Sequence, residues 1–172
     1  MARLNTVSPN EFIEINPLIL NTLNLVRGQI EKRGIAIKLE LEDKLPLVRG
    51  SSIYFQQILL NFILHSKKQI EHNGSMVIRS FNWEDQGIQI ELEDSGNPMP
   101  AEYIEKILDP FGDLDNSAEM NLGLTVSIQM VRDIGGHIKI ESRKKVGNKI
   151  IIQIPKFNQK EGEYDKEVVS TG

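Results

Sequence analysis

Hydrophobic residues recur along this chain with two different periods. Between residues 51 and 71 they fall at every third or fourth position, which places their side chains on one face of a helix. This face consists of Phe55, Ile58, Leu59, Phe62 and Ile63. Between residues 35 and 42 every second residue is apolar, which indicates a strand with one buried face. Because the two periods alternate along the sequence, they predict an α/β or α+β sandwich.

The same patterns divide most of the chain into predicted elements. Helices are predicted at 16–33, 51–71, 101–108 and 124–136. Strands are predicted at 35–42, 76–81, 88–93, 137–142 and 149–154, and turns at 84–87 and 146–148 would close two hairpins. Both ends of the chain lack periodicity. We therefore expect a flexible segment at 1–11, a domain at 12–156 and a disordered tail at 157–172.

Composition narrows the class of protein. A length of 172 residues allows one domain with a single core, and the formal net charge of −4 argues against nucleic acid as a partner. No apolar run approaches the roughly 20 residues that span a bilayer, and the N-terminus lacks a secretion-signal pattern. The chain has no cysteine, which excludes disulfides and thiol catalysis. We expect a cytoplasmic domain with no membrane contact from this segment.

The main candidate for chemistry is an acid at a strand end. Asp94 directly follows the predicted strand at 88–93, and Gly96 comes two residues later. A carboxylate in this place can accept a hydrogen bond from the exocyclic amine of adenine, and a glycine lets the backbone approach the ring. Upstream, Asn61, His65 and Lys68 are spaced at i, i+4 and i+7 and share one stripe of the predicted helix. Such a stripe is also typical of the solvated face of an amphipathic helix.

Four segments together resemble the ATP-binding catalytic domain of sensor histidine kinases, which belongs to the GHKL group and has the Bergerat fold. The segment 57–68, QILLNFILHSKK, is similar to the asparagine box, and Asp94-Ser-Gly is similar to the first glycine box. The segment 107–112, ILDPFG, is similar to the phenylalanine box, and 119–124, EMNLGL, to the second glycine box. The resemblance covers Phe12 to Pro155 and keeps the family's order of boxes.

The resemblance implies a fold, ligands and partners. The fold would be a two-layer α+β sandwich, with a mixed or antiparallel sheet of about five strands covered on one face by three helices. ATP and Mg²⁺ would be bound, with Asp94 on adenine, Lys68 on phosphate and Gly123 beginning the phosphate-facing helix. The implied nucleotide-binding residues are Asn61, His65, Lys68, Asp94, Gly96, Phe111, Leu122, Gly123 and Leu124. The γ-phosphate would pass to a histidine on a separate dimerisation domain, and a response regulator is the second implied partner.

Some positions depart from the family's boxes. His65 stands where the family has a Mg²⁺-binding asparagine, and an imidazole is a poor ligand for this hard cation. Pro98, Glu119 and Asn121 stand at glycine positions of the boxes, where a proline removes an N–H donor and a glutamate adds a negative charge. The departures predict weak binding of the metal and the phosphates.

The charge of the segment that would cover the phosphates supports the same expectation. Between Lys106 and Arg132 the chain has no lysine or arginine. The acids in this segment are Asp109, Asp113, Asp115 and Glu119. Acids placed near a triphosphate would repel it, although they could equally belong to a solvated surface loop.

Three hypotheses remain open. The chain is a divergent domain that binds ATP weakly or not at all and acts through protein contacts, a working histidine kinase domain, or a serine-directed kinase of the anti-sigma type. The departures favour the first, and the segment before Asn16 favours a histidine kinase over the third. His65, His72 and His137 lack the acid and proline that follow a phospho-acceptor, and their spacing is not that of a metal site.

Overall fold

The structure is a computed structural model that describes residues 11–110 and 118–157, with the backbone alone for 118–122. The elements in these residues, in chain order, are β1 (Glu11–Ile13), α1 (Ile15–Lys32), β2 (Ala36–Leu41), β3 (Val48–Gly50), α2 (Ser52–Gln69), β4 (Ser75–Trp83), β5 (Gly87–Asp94), α3 (Ala101–Leu108), α4 (Ala118–Asp133), β6 (His137–Arg143) and β7 (Gly147–Pro155). The predicted flexible segment and tail lie almost entirely outside the described residues and remain predictions. No helix in the described parts of the chain is long and apolar enough to cross a membrane.

The main sheet has five strands in the order β2-β4-β5-β7-β6. β2 and β4 are parallel, and the other neighbours are antiparallel, so the sheet is mixed. This confirms the predicted α+β sandwich. A second sheet pairs β1 with β3, which the sequence did not predict. Each of these strands has only three residues, too few for an alternating pattern to be recognised.

The core lies between the sheet and the helices α1, α2 and α4, which agrees with the predicted layer of three helices on one face of the sheet. α2 packs between the other two, against α1 on one side and α4 on the other. The largest fully buried side chains are Phe55, Phe62, Ile15, Ile19, Leu23, Ile30, Ile70, Met76, Ile88, Leu124, Ile128 and Ile150. Because α1, α2 and α4 each contribute apolar residues to one core, their relative positions are fixed by packing. α3 is shorter and has no fully buried residue.

The other face of the sheet is charged. Arg79 on β4 lies 2.7 Å from Glu40 on β2 and 2.7 Å from Glu93 on β5. Lys149 on β7 extends the network, 3.8 Å from both Glu91 and Glu93. These pairs occupy cross-strand positions on one face, where opposite charges stabilise a sheet modestly. The strands therefore alternate between a core side and a solvent side, as their sequence pattern predicts.

The N-terminus of α2 is held by two different caps. The Ser51 hydroxyl accepts a hydrogen bond from the Tyr54 amide at 3.3 Å. The Glu11 carboxylate on β1 accepts from the amide of Ser52 at 3.0 Å and from its hydroxyl at 3.1 Å. The hydrogen bond from the Ser52 amide, and to a lesser extent the bond from the Ser52 hydroxyl, lowers the pKa of Glu11. The small sheet thus anchors the helix that carries Asn61 and His65.

One feature implied by the family resemblance is wrong. Gly123 was expected to begin the phosphate-facing helix, but α4 begins at Ala118 and Gly123 lies inside it. A glycine costs about 1 kcal/mol relative to alanine inside a helix. Further along α4, Leu124, Ile128 and Val131 are buried in the core. Packing of this face against α2 outweighs the low helix propensity of the glycine.

Candidate functional site

The site is centred on Asp94, at the C-terminal end of β5. The residue is only 2% exposed. Its Oδ1 atom accepts hydrogen bonds from the Gly96 amide at 2.8 Å and from Nδ2 of Asn148 at 3.0 Å. Its Oδ2 atom is buried and has no hydrogen-bond partner among the described residues. A buried carboxylate oxygen that receives no hydrogen bond is costly.

Asn148 on β7 connects this carboxylate to the loop that follows it. Its Nδ2 atom also donates to the carbonyl oxygen of Asn97 at 2.9 Å. Its Oδ1 atom accepts from the Met99 amide at 3.1 Å and from the Ser142 hydroxyl at 2.8 Å. Sequence reasoning missed Asn148, because it is separated from Asp94 by 54 residues and no local pattern marks it. The pairing of β5 with β7 brings Asp94 opposite Asn148.

Gly96 is needed for packing between the loop and α2. A Cβ atom on Gly96 would lie 2.5 Å from the carbonyl carbon of Gln69, in the last turn of α2. The Asn97 amide donates to the Gln69 carbonyl at 3.0 Å, which fixes the same contact. Sequence reasoning explained this glycine by close approach to a base. The structure instead places the backbone of α2 where its side chain would be.

His65, on α2, is another buried polar residue near Asp94. It is 8% exposed, and its Nε2 atom has no hydrogen-bond partner within the part of the chain that the structure describes. Burial lowers the pKa of His65; the nearby Asp94 carboxylate acts in the opposite direction, and the Lys68 ammonium acts in the same direction as burial. The imidazole is therefore neutral near pH 7, and it lies within electrostatic range of Asp94.

The other predicted site residues differ in their surroundings. Asn61 is half-buried, and its Oδ1 accepts a hydrogen bond from Nε2 of Gln57 at 2.8 Å. Lys68 is exposed, whereas Leu124 is 2% exposed and belongs to the core. Gly123 is exposed, and no other described part of the chain, apart from its own neighbours and helix backbone, lies within 4 Å of the position of a Cβ on it. Phe111 and the side chain of Leu122 lie outside the described residues. The nucleotide contacts of all these residues remain predictions.

One predicted site residue bears directly on whether Mg²⁺ can bind. Within residues 11–110 and 118–157, no group of three or more His, Asp or Glu side chains could hold a metal ion. At the position where the family has an asparagine oxygen, this chain offers the imidazole of His65, whereas Mg²⁺ prefers hard oxygen ligands. Asn61, on the same stripe of α2, has an amide oxygen that accepts from Gln57 and keeps a second lone pair. Of these two positions, only that of His65 therefore fails to offer an oxygen.

Comparison with known proteins identifies the family. Residues 50–158 match the family model described as "Histidine kinase-, DNA gyrase B-, and HSP90-like ATPase". The chain is 29% identical over 145 residues to hybrid signal transduction histidine kinase B of Dictyostelium discoideum, covering 78% of the chain and 7% of that protein. It is 27% identical over 144 residues to the sensor histidine kinase ZraS of Escherichia coli strain K12, covering 83% of the chain and 30% of that protein. The chain thus spans less than a third of these relatives.

Solved structures show the same relationship. The catalytic domain of histidine kinase ThkA matches with a TM-score of 0.73 and 28% identity, covering 85% of this chain and 97% of that one. ThkA in complex with the response regulator TrrA matches with a TM-score of 0.72 and 27% identity, covering 87% of this chain and 42% of that one. The family match and the shared fold agree with the order of the four sequence boxes. The chain belongs to the histidine kinase-, DNA gyrase B- and HSP90-like ATPase family and has the catalytic-domain fold of two-component sensor histidine kinases.

Proposed function

We propose that this chain is the nucleotide-binding domain of a two-component histidine kinase in which adenine recognition is retained and the hold on magnesium and phosphate is weakened. The observation that carries the proposal is the buried Oδ2 atom of Asp94, which receives no hydrogen bond from any described residue. The other oxygen of this carboxylate already has two donors. Oδ2 is therefore the atom that would accept a hydrogen bond from the exocyclic amine of adenine.

The proposed weakening of Mg²⁺ binding is argued from His65. This residue stands at the position of the family's metal-binding asparagine, and its environment favours a neutral imidazole. A neutral imidazole can bind softer cations but replaces a Mg²⁺ ligand poorly. Glu119, at a box glycine, would add a negative charge near the phosphates, although its side chain lies outside the described residues. We infer that ATP binds weakly and with little help from Mg²⁺.

Signalling would then depend on protein contacts. We propose a dimerisation domain and a response regulator as partners, because ThkA, which has the same catalytic-domain fold, was solved in complex with the response regulator TrrA. When bound, ATP would supply a transferable γ-phosphoryl group, and this chain's own residues would position the nucleotide. The relatives named above are histidine kinases, which favours this class over a serine-directed kinase. A working kinase domain remains the second candidate, supported by the ATPase family match.

The base-binding role of Asp94 is testable with one isosteric substitution. Asp94→Asn can keep its oxygen toward the Gly96 amide and Asn148, but it places an NH₂ group where Oδ2 is found. The variant should bind ATP about tenfold or more weakly than wild type, and it should gain affinity for ITP, whose base carries a carbonyl in place of the amine. Calorimetric titration of both nucleotides measures this. Unchanged binding of ATP by the Asp94→Asn variant would contradict the proposal.

A control separates this effect from general damage. Asn82→Asp exchanges an amide for a carboxyl group on β4, away from the site. The Asn82 side chain donates to Glu42 and to the carbonyl of Lys44. The ATP and ITP affinities of this variant should equal those of wild type. An equal loss of ATP affinity in both variants would show that the effect of Asp94→Asn is not specific to the base.

A further inference from the structure

We propose that Asn148 is a positioning residue that determines which oxygen of Asp94 faces a ligand and links that carboxylate to the segment leading into α3. The part that concerns nucleotide choice rests on the proposed function. The part that concerns the loop does not, because it depends only on hydrogen bonds within the chain.

Asn148 uses its whole hydrogen-bonding capacity inside the protein. Both hydrogens of Nδ2 are engaged, by Asp94 and by the carbonyl of Asn97. Both lone pairs of Oδ1 are engaged, by the Ser142 hydroxyl and by the Met99 amide, which Asn148 shares with the Ser142 oxygen. The residue is 2% exposed, so each of these bonds replaces a lost contact with water. Of the common side chains, only an amide offers two donors and an acceptor in one planar group of this size.

These bonds distinguish the two oxygens of Asp94. An isolated carboxylate can rotate and exchange its oxygens, since they are chemically equivalent. Here Gly96 and Asn148 both donate to Oδ1, which leaves Oδ2 as the oxygen without a donor. Asn148 therefore converts a symmetrical acceptor into one with a single open position. A single acceptor in a fixed direction is what recognition of one amine requires.

The same side chain holds the loop ahead of α3. Its partners Asn97 and Met99 flank Pro98, and Pro100 is the N-cap of α3. Met99 is itself 6% exposed and packs in the core, so its amide position is well defined. A displacement of Asn148 would change both the open oxygen of Asp94 and the start of α3. Base binding and α3 are thus linked through one residue.

The neighbouring glycine allows this arrangement. Gly147 has a φ of 126°, and a Cβ atom on it would lie 1.8 Å from the carbonyl oxygen of Asp94. The start of β7 can therefore approach the end of β5 closely enough for the Asn148 amide to reach Asp94. This contact depends on a backbone without a side chain at position 147.

The first test needs no ligand. Amide hydrogen exchange at Met99 is compared in wild type, Asn148→Leu and Gln153→Leu. Gln153 is the matched control, because it lies on the same strand and its amide bonds Gln89 on the other face of the sheet. The Met99 amide also donates to the Ser142 hydroxyl at 2.8 Å, and that hydroxyl in turn donates to Asn148. Asn148→Leu removes one acceptor of the Met99 amide and the group that orients the other, so it should speed exchange at Met99 about tenfold or more. Gln153→Leu should leave this exchange unchanged. Equal exchange in wild type and Asn148→Leu, or equal acceleration in both variants, would overturn the proposal.

The second test measures the ratio of the dissociation constants for ATP and ITP. Asn148→Asp keeps the shape and the acceptor for Met99 but loses both donors, so it should lower the preference for ATP while Met99 exchange stays closer to wild type. Gln153→Leu leaves both bonds from Nδ2 of Asn148 intact and should keep the wild-type preference. An equal loss of the preference in Gln153→Leu would contradict a specific role of Asn148. Where an Asn148 variant does not fold, Ser142→Ala is used, because it removes the hydroxyl that donates to Oδ1 of Asn148 and accepts from the Met99 amide. It should lower the preference and speed Met99 exchange, and unchanged values of both would contradict the role of Asn148.

The two tests can fail separately. A wild-type protein with no preference between ATP and ITP would contradict base recognition by Asp94, and with it the proposed function. The exchange of the Met99 amide would still decide whether Asn148 holds the loop. Asn148→Leu could speed Met99 exchange as expected while both Asn148 variants keep the wild-type preference for ATP over ITP. That result would overturn the claim that Asn148 orients Asp94.

Discussion

Gly96 and Gln69 are in contact through their backbones, which ties the Asp94 loop to the last turn of α2. A Cβ atom on Gly96 would lie 2.5 Å from the carbonyl carbon of Gln69 and 2.6 Å from its oxygen. Real Cβ atoms do not approach backbone so closely, and this backbone belongs to a packed helix. The contact sets the distance between Asp94 at the end of β5 and the stripe of α2 that carries His65 and Lys68.

The first prediction concerns this contact. Gly96→Ala should lower the free energy of unfolding by about 1–3 kcal/mol, since either the loop or the end of α2 must move. It should also weaken ATP binding, because the Gly96 amide donates to Asp94. Urea unfolding and a nucleotide titration measure the two effects. A variant as stable as wild type would show that the loop can move away from Gln69 freely.

The second prediction uses two helical glycines with open surroundings. Among the described residues, and apart from their own chain neighbours and helix backbone, neither Gly123 in α4 nor Gly28 in α1 has an atom within 4 Å of a Cβ position. Alanine at either position should raise the free energy of unfolding by about 0.5–1 kcal/mol, because it reduces the freedom of the unfolded chain and favours the helix. Only Gly123→Ala should weaken ATP binding, as Gly123 belongs to the box that resembles a phosphate-binding segment. Equal ATP affinity in the two variants would remove Gly123 from the site.

The third prediction concerns the dependence of stability on pH. The pKa of folded His65 lies below its usual value of 6.5, so the unfolded chain gains a proton first as the pH falls. The stability that neutral His65 provides is complete above about pH 6.5 and is lost as the pH falls toward the folded pKa, with a slope of at most about 1.4 kcal/mol per pH unit. His65→Asn removes this titration while leaving Asp94 and Lys68 in place. Urea unfolding of both proteins between pH 7 and pH 5 measures the difference.

The expected result is that wild type loses more stability than His65→Asn over this range. Two parallel pH profiles would mean that His65 titrates normally in the folded protein, and the account of a neutral buried imidazole would be wrong.

The fourth prediction concerns phosphorylation. The isolated chain should not label itself from radioactive ATP, because His72 and His137 lack the sequence of a phospho-acceptor and His65 is buried beside Asp94. Acid-labile, base-stable label on any of the three histidines would show that the acceptor lies within this chain.

The sequence predicted the secondary structure and the sheet well, and the site only in part. The alternation in β5 and the spacing in α2 are strong because one face of each element is buried. β1 and β3 were missed because they are too short for a period to appear. Asn148 was missed because its role depends on contacts with Asp94 and Met99, which are far away in the sequence. The start of α4 was misplaced because a glycine was taken as a boundary, although packing extends the helix past it.

The most direct test of the central claim is the affinity for ATP with Mg²⁺ and with EDTA, measured by calorimetry for wild type and for His65→Asn combined with Glu119→Gly and Asn121→Gly. If the metal half of the site is weakened, wild type should bind ATP weakly and with similar affinity in both conditions. The triple variant should bind ATP about ten- to a hundredfold more tightly in Mg²⁺. The reason is that His65→Asn restores an oxygen ligand and Glu119→Gly removes a negative charge near the phosphates. Tight, Mg²⁺-dependent binding by wild type, with no gain in the triple variant, would contradict the claim and support a working kinase domain.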